Sequence, residues 1–154
     1  MRITILAVGR LKSGPEAELC DDYLDRFRKA GRALGFRSID LIEVDSGGGM
    51  EAEAERLLAK LPQGAHTIRL DEHGREHRSE AFSTYIATLR DRGVPDLCFL
   101  IGGAEGYGKA IQSAVPETMA FGKQTWPHRM VRAMLAEQLY RAVSIEAGLP
   151  YHKA

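Results

Sequence analysis

The 154-residue sequence has no net charge, with 21 Lys and Arg against 21 Asp and Glu. That balance excludes a chain that coats nucleic acid through bulk charge. Cysteine is scarce. Cys20 and Cys98 form no C-x-x-C pair and have no second ligand type at metal spacing, so no metal is expected and both read as buried thiols. Long apolar runs are missing too: the longest, Leu97–Ile101, falls far short of the roughly 20 residues a membrane helix needs. The opening stretch Met1–Val8 meets Gly9, Arg10 and Lys12 at once, too early for a signal peptide, so a cytoplasmic protein with no membrane partner is expected. Repeats and low-complexity segments are absent except Gly47–Gly49, which reads as a flexible surface loop.

What remains is ordinary globular material, 44% hydrophobic and 27% charged. Its length sets one domain over residues 1–154. Five runs read as strands: Arg2 to Val8, Ser38 to Val44, His66 to Leu70, Asp96 to Ile101 and the weaker Glu117 to Phe121. Helical patterns lie between and after them, at about Pro15 to Ala33, Met50 to Leu61, Ser79 to Arg92, Tyr107 to Ser113 and His128 to Ala147. Such alternation predicts an α/β fold, a mainly parallel sheet with helices on both faces. Charge is uneven along it: residues 1–37 carry a net +3, 38–60 a net −4 and 123–154 a net +3. Two basic ends on a neutral body suit contact with a polyanion at one place.

In an open α/β sheet, ligands bind beyond the carboxyl ends of the strands. Three loops leave that edge: Leu70–Gly74, Gly102–Gly108 with four glycines in seven residues, and Gly122–Pro127. The second fits neither a phosphate loop nor a G-x-G-x-x-G register, and a tight turn explains its glycines equally well. A flat adenine ring would suit a backbone-lined cleft here, with Leu70 or Trp126 over its face. Trp126 also reads as core or dimer packing. The last helix spreads its apolar residues wider than one sheet contact needs, which points to a two-fold partner. Arg141 lies on that apolar arc and reads either as a snorkelling or dimer-paired side chain or as a functional cation. Tyr151, His152 and Lys153 follow a helix stop, in a tail that on its own reads as frayed.

The segments ILAVGRLK (Ile5–Lys12), LIGGAEG (Leu100–Gly106), TWPHRMVRAMLAEQLYRA (Thr125–Ala142) and PYHK (Pro150–Lys153) together resemble the ribosomal RNA large subunit methyltransferase H family, in the SPOUT superfamily of knotted methyltransferases. The resemblance covers nearly the whole chain. It implies a C-terminal trefoil knot, S-adenosyl-L-methionine as cofactor, and methylation of N3 of a pseudouridine in 23S rRNA within the ribosome by a homodimer. It implies cofactor contacts at Leu70, Gly102, Gly103 and the stretch Phe121, Gly122, Lys123, Gln124, Thr125 and Trp126. Target binding and catalysis are expected of Arg141, Tyr151, His152 and Lys153, with His152 a candidate general base. Trp126, Ala154 and the run Gly47–Gly49 depart from the family's pattern. The competing readings are a non-catalytic nucleotide-binding or ribosome-associated module, and a SPOUT methyltransferase acting on tRNA.

Overall fold

The β-branched and aliphatic runs form one five-stranded sheet in a computed structural model that describes all residues, Met1–Ala154. The elements follow the chain as β1 (Arg2–Val8), α1 (Pro15–Gly31), a 3₁₀ turn (Arg32–Leu34), β2 (Ser38–Val44), α2 (Met50–Lys60), β3 (His66–Glu76), α3 (Ser79–Asp91), β4 (Asp96–Ile101), α4 (Lys109–Ala114), β5 (Thr118–Ala120) and α5 (His128–Ala147). The strand order is β2-β1-β4-β3-β5, and every pair is parallel. All six residues of β4 are buried, as a central parallel strand requires.

Alternate residues of the strands feed two cores. Ile3, Ile5, Leu97 and Phe99 meet Phe27 of α1, Phe82 and Ile86 of α3, and Leu135 and Leu139 of α5. Leu6, Val8, Cys98 and Leu100 meet Leu57 of α2 and Ile111 of α4. Both cysteines are buried free thiols, and burial pushes their pKa values up to about 11 for Cys20 and about 12 for Cys98. No helix is long and apolar enough to cross a membrane.

Two elements differ from the sequence reading. β3 runs six residues past Leu70, because Leu70 and Arg75 both pair with Met119 while the residues between them loop outward. Gly74 closes that loop: a Cβ there would stand 2.8 Å from the backbone N and C of Met119. The tail beyond α5 is also held in place. Gly148 turns left-handed at φ 70° and Leu149 N–H donates to Ser144 O at 2.9 Å, folding residues 149–152 back along the helix.

Candidate functional site

The loops after β4 and β5 and the outward loop within β3 come from three adjacent strands and enclose a cleft of about 490 Å³. Leu70, Gly102, Gly103, Phe121, Gly122, Gln124, Thr125 and Trp126 line it, as the sequence suggested; Lys123 is exposed and stands outside the lining. Ile101, Met119 and Val131 supply apolar wall. Asp71 and Glu72 stand at the rim, and neither Lys nor Arg lines the cleft. Thr125 Oγ1 donates to Glu72, and Trp126 Nε1 donates to Phe121 O at 3.0 Å, so the loop after β5 is bound both to itself and to the outward loop of β3. Trp126 is 37% exposed and belongs to the wall rather than the core.

Tyr107 ties the strand ends together. Its hydroxyl accepts from Gly102 N–H at 3.0 Å and lies 2.8 Å from Leu70 O and 2.7 Å from Leu100 O, to which it donates. Burial raises its pKa well above the usual tyrosine value, so the phenol keeps its proton. The ring also accounts for Gly102, since a Cβ there would lie 3.1 Å from Tyr107 Cε1. Gly102 is not among the left-handed glycines, so close packing explains it and backbone conformation does not.

A second group of polar side chains forms where the tail meets α5 and α3. Glu137 Oε1 accepts from Arg141 Nε at 2.8 Å and from Tyr151 Oη at 3.0 Å, and Arg141 also lies over the Tyr151 ring at 4.8 Å. His152 Nδ1 is 3.1 Å from Arg141 Nη1, and its Nε2 is 3.1 Å from Glu80 Oε1. An Arg is only a donor, so in this network Nδ1 accepts from Arg141 and Nε2–H donates to Glu80. The backbone N–H of Glu80 at the start of α3, and after it His152, hold the Glu80 carboxyl below the usual range. Tyr151 packs edge-on against Tyr140 at 4.7 Å, and burial together with Tyr23 and Glu137 raises its pKa. Arg141, Tyr151 and His152 therefore converge. Lys153 is exposed and makes no side-chain bond.

Sequence reasoning missed three members of these groups and one buried cation beside them. Glu137 was findable, because it precedes Arg141 by one helical turn. Arg132 was findable from register, since Leu135, Ala136, Leu139 and Val143 follow it at i+3, i+4, i+7 and i+11. Only 2% exposed, it bonds Glu43 at 2.6 Å and the carbonyls of Val8 and Gly9, joining α5 to β1 and β2. Tyr107 and Glu80 gave no local signal, because the contacts that define them reach across the fold to Leu70 and His152. No group of three His, Cys, Asp or Glu side chains is placed to hold a metal ion.

A parallel sheet with a small-molecule cleft at its carboxyl edge and a polar cluster on its last helix defines an α/β ligand-binding protein with the means for chemistry. Residues 1–152 match the family model described as Predicted SPOUT methyltransferase. The chain belongs to the SPOUT methyltransferase family, in the ribosomal RNA large subunit methyltransferase H group. A Hyphomonas neptunium protein named Ribosomal RNA large subunit methyltransferase H is 60% identical over 154 residues, covering all of both chains. One of that name from Phenylobacterium zucineum is 53% identical over 99% of each. Among solved structures, a probable methylase family protein from Haemophilus influenzae Rd KW20 aligns with a TM-score of 0.50 at 8% identity, over 99% of this chain and 70% of that one, a likeness of fold alone.

Proposed function

We propose that the protein methylates N3 of a pseudouridine in 23S rRNA on the assembled ribosome, with S-adenosyl-L-methionine as donor, acting in the cytoplasm as a homodimer. One observation carries the cofactor reading: the cleft is backbone-lined and apolar, with Asp71 and Glu72 and no Lys or Arg. Such a site suits a cationic ligand with a flat base and opposes one bearing phosphates. The names of the full-length relatives support ribosomal RNA as substrate. Residues 1–154 form one domain in this reading, with the family's trefoil knot made by α5 threading through the cofactor loops.

When bound, the donor supplies an activated methyl group on a sulfonium. The chain's residues would orient the base and manage the N3 proton. Arg141, Tyr151 and Lys153 donate to the base carbonyls and stabilise the charge that develops as N3 loses its proton. His152 is the proposed base. Its Nδ1 is covered by Arg141 in the resting arrangement, so it can take the proton only after the substrate draws the guanidinium away. The cluster shares no residue with the cleft lining, which favours a site completed by the tail of a second copy. Leu19, Met130 and Met134 line an apolar groove of about 780 Å³ between α1 and α5 that such a partner would cover.

The test is transfer of labelled methyl groups to unmethylated ribosomes and to free tRNA, by the wild type and by a chain lacking residues 151–154. The proposal expects labelled ribosomes, unlabelled tRNA and an inactive truncation. Labelled tRNA would assign the chain to a different RNA. No transfer, with ligand binding retained by the truncation, would leave a non-catalytic module.

A further inference from the structure

A second concavity, of about 410 Å³, opens at the carboxyl ends of β1, β2 and β4. It adjoins the cofactor cleft, and Gly103, Ala104 and His128 belong to the walls of both. The methyl-transfer scheme gives it no task. We infer that this pocket seats a ribose-phosphate unit of the RNA substrate flanking the methylated nucleotide, with the 2′-hydroxyl on Glu53 and the phosphate at Arg129 and the amino end of α5. The inference rests on the reading of the protein as an RNA methyltransferase.

Glu53 carries the argument. It lies in the first turn of α2 and is 8% exposed. Its Oε2 accepts from Gly47 N–H at 2.9 Å, while Oε1 faces Gly103, where an added Cβ would stand 3.0 Å away. No protein group donates to Oε1 and no Lys or Arg pairs with the carboxylate. Oε1 is open to the pocket rather than sealed within the protein, so a ligand hydroxyl can reach it, and a ribose 2′-hydroxyl supplies the donor.

The phosphate side is built of cations and free N–H groups. Arg129, exposed in the first turn of α5, makes neither a salt bridge nor a side-chain hydrogen bond. Arg10 stands on the rim with one carboxylate partner, Asp45, at 2.7 Å. α5 has Pro127 as its N-cap and no side-chain cap, which leaves its first N–H groups for a ligand oxygen. Arg132 lies in the wall with its buried Nε unpartnered. Gly47, Gly48 and Gly49, all left-handed at φ 107°, 81° and 91°, keep the facing wall bare backbone. Glu53 and exposed Glu105 oppose an isolated anion here; a phosphate joined to a hydroxyl-bearing sugar satisfies both signs of charge.

The experiment is a titration of ¹⁵N-labelled full-length protein with uridine 3′-monophosphate and, separately, its 2′-deoxy analogue. Amide shifts are expected at Gly47, Gly48, Gly49 and Arg129, with the ribonucleotide bound about tenfold more tightly, the worth of one hydrogen bond to a charged group. Arg129→Glu should abolish the shifts; the site is exposed and an acid in the first turn favours the helix, so the variant folds. Equal affinity for the two nucleotides, shifts confined to the cofactor cleft, or binding unchanged in Arg129→Glu would each overturn the assignment. The titration reads the pocket directly, so ribosomes that accept no methyl would sink the proposed function without touching this result.

Discussion

Replacing Tyr107 by Phe deletes one oxygen and should loosen three backbone groups of β3 and the end of β4 at once. That hydroxyl accepts from Gly102 N–H and donates toward Leu70 O or Leu100 O, one proton serving two carbonyls at 2.8 and 2.7 Å. In the variant, the Gly102 N–H loses its partner beneath the packed ring and a carbonyl loses its donor. An unsatisfied buried group costs about 1–3 kcal/mol, and the carbonyls keep other acceptor capacity, so about 2 kcal/mol is expected. For a chain of this length that lowers Tm by about 4–8 °C. Gly102 and Leu70 both face the cleft, so the loss should also reach the cofactor, weakening S-adenosylmethionine by about tenfold as the rim becomes less preorganised. Calorimetry serves both readings, a thermal scan for Tm and a titration for Kd. A Tm within about 1 °C of wild type, equivalent to well under 1 kcal/mol, would refute the hydroxyl's structural role. A full Tm loss with unchanged Kd would show that the cleft does not depend on it.

Arg132→Met should lower the urea midpoint by the equivalent of about 3–5 kcal/mol, because Glu43 is left without its cation; a shift below about 1 kcal/mol would contradict that pairing. His128 is held below its ordinary value of 6.5, first by burial and then by Arg132 and Arg129, and His77 likewise by burial and Arg75. The unfolded chain therefore takes up these protons first. Their stability contribution is whole above about pH 6.5 and is lost as pH falls toward the depressed values. Urea midpoints between pH 7.5 and 5.5 should fall less steeply in His128→Gln, and parallel slopes would contradict the shift. Arg141→Ala, lacking the cluster, and Thr125→Arg, whose cation would neutralise Glu72 in the cleft, should each be inactive alone. Mixed and re-equilibrated, they should regain about one quarter of wild-type activity if cleft and tail come from opposite copies; no recovery would place them in one chain.

Periodicity located the sheet and helices because each strand repeats its apolar residues where burial demands them, as in the wholly buried β4. The three loops of the cleft were legible for the same reason: they follow strand ends, and strand ends carry ligands in such folds. Tertiary partners decided the rest. Leu70 and Arg75 sharing Met119 cannot be seen from local pattern, and neither can a tail held by Tyr140, Glu137 and Glu80, which alone reads as frayed. Arg132, which drew no comment in the sequence, is enclosed against Glu43, while Arg141 stays partly accessible on its carboxylate. Gly47–Gly49 read as a flexible surface loop, because the carboxylate that accepts from Gly47 N–H belongs to the first turn of the next helix.

The most direct test of the account is mass-spectrometric mapping of the methyl group after incubating the protein and S-adenosylmethionine with unmethylated ribosomes. The account predicts one added methyl, on N3 of a single pseudouridine in 23S rRNA. A methyl on a ribose oxygen, on another base or in another RNA would contradict it.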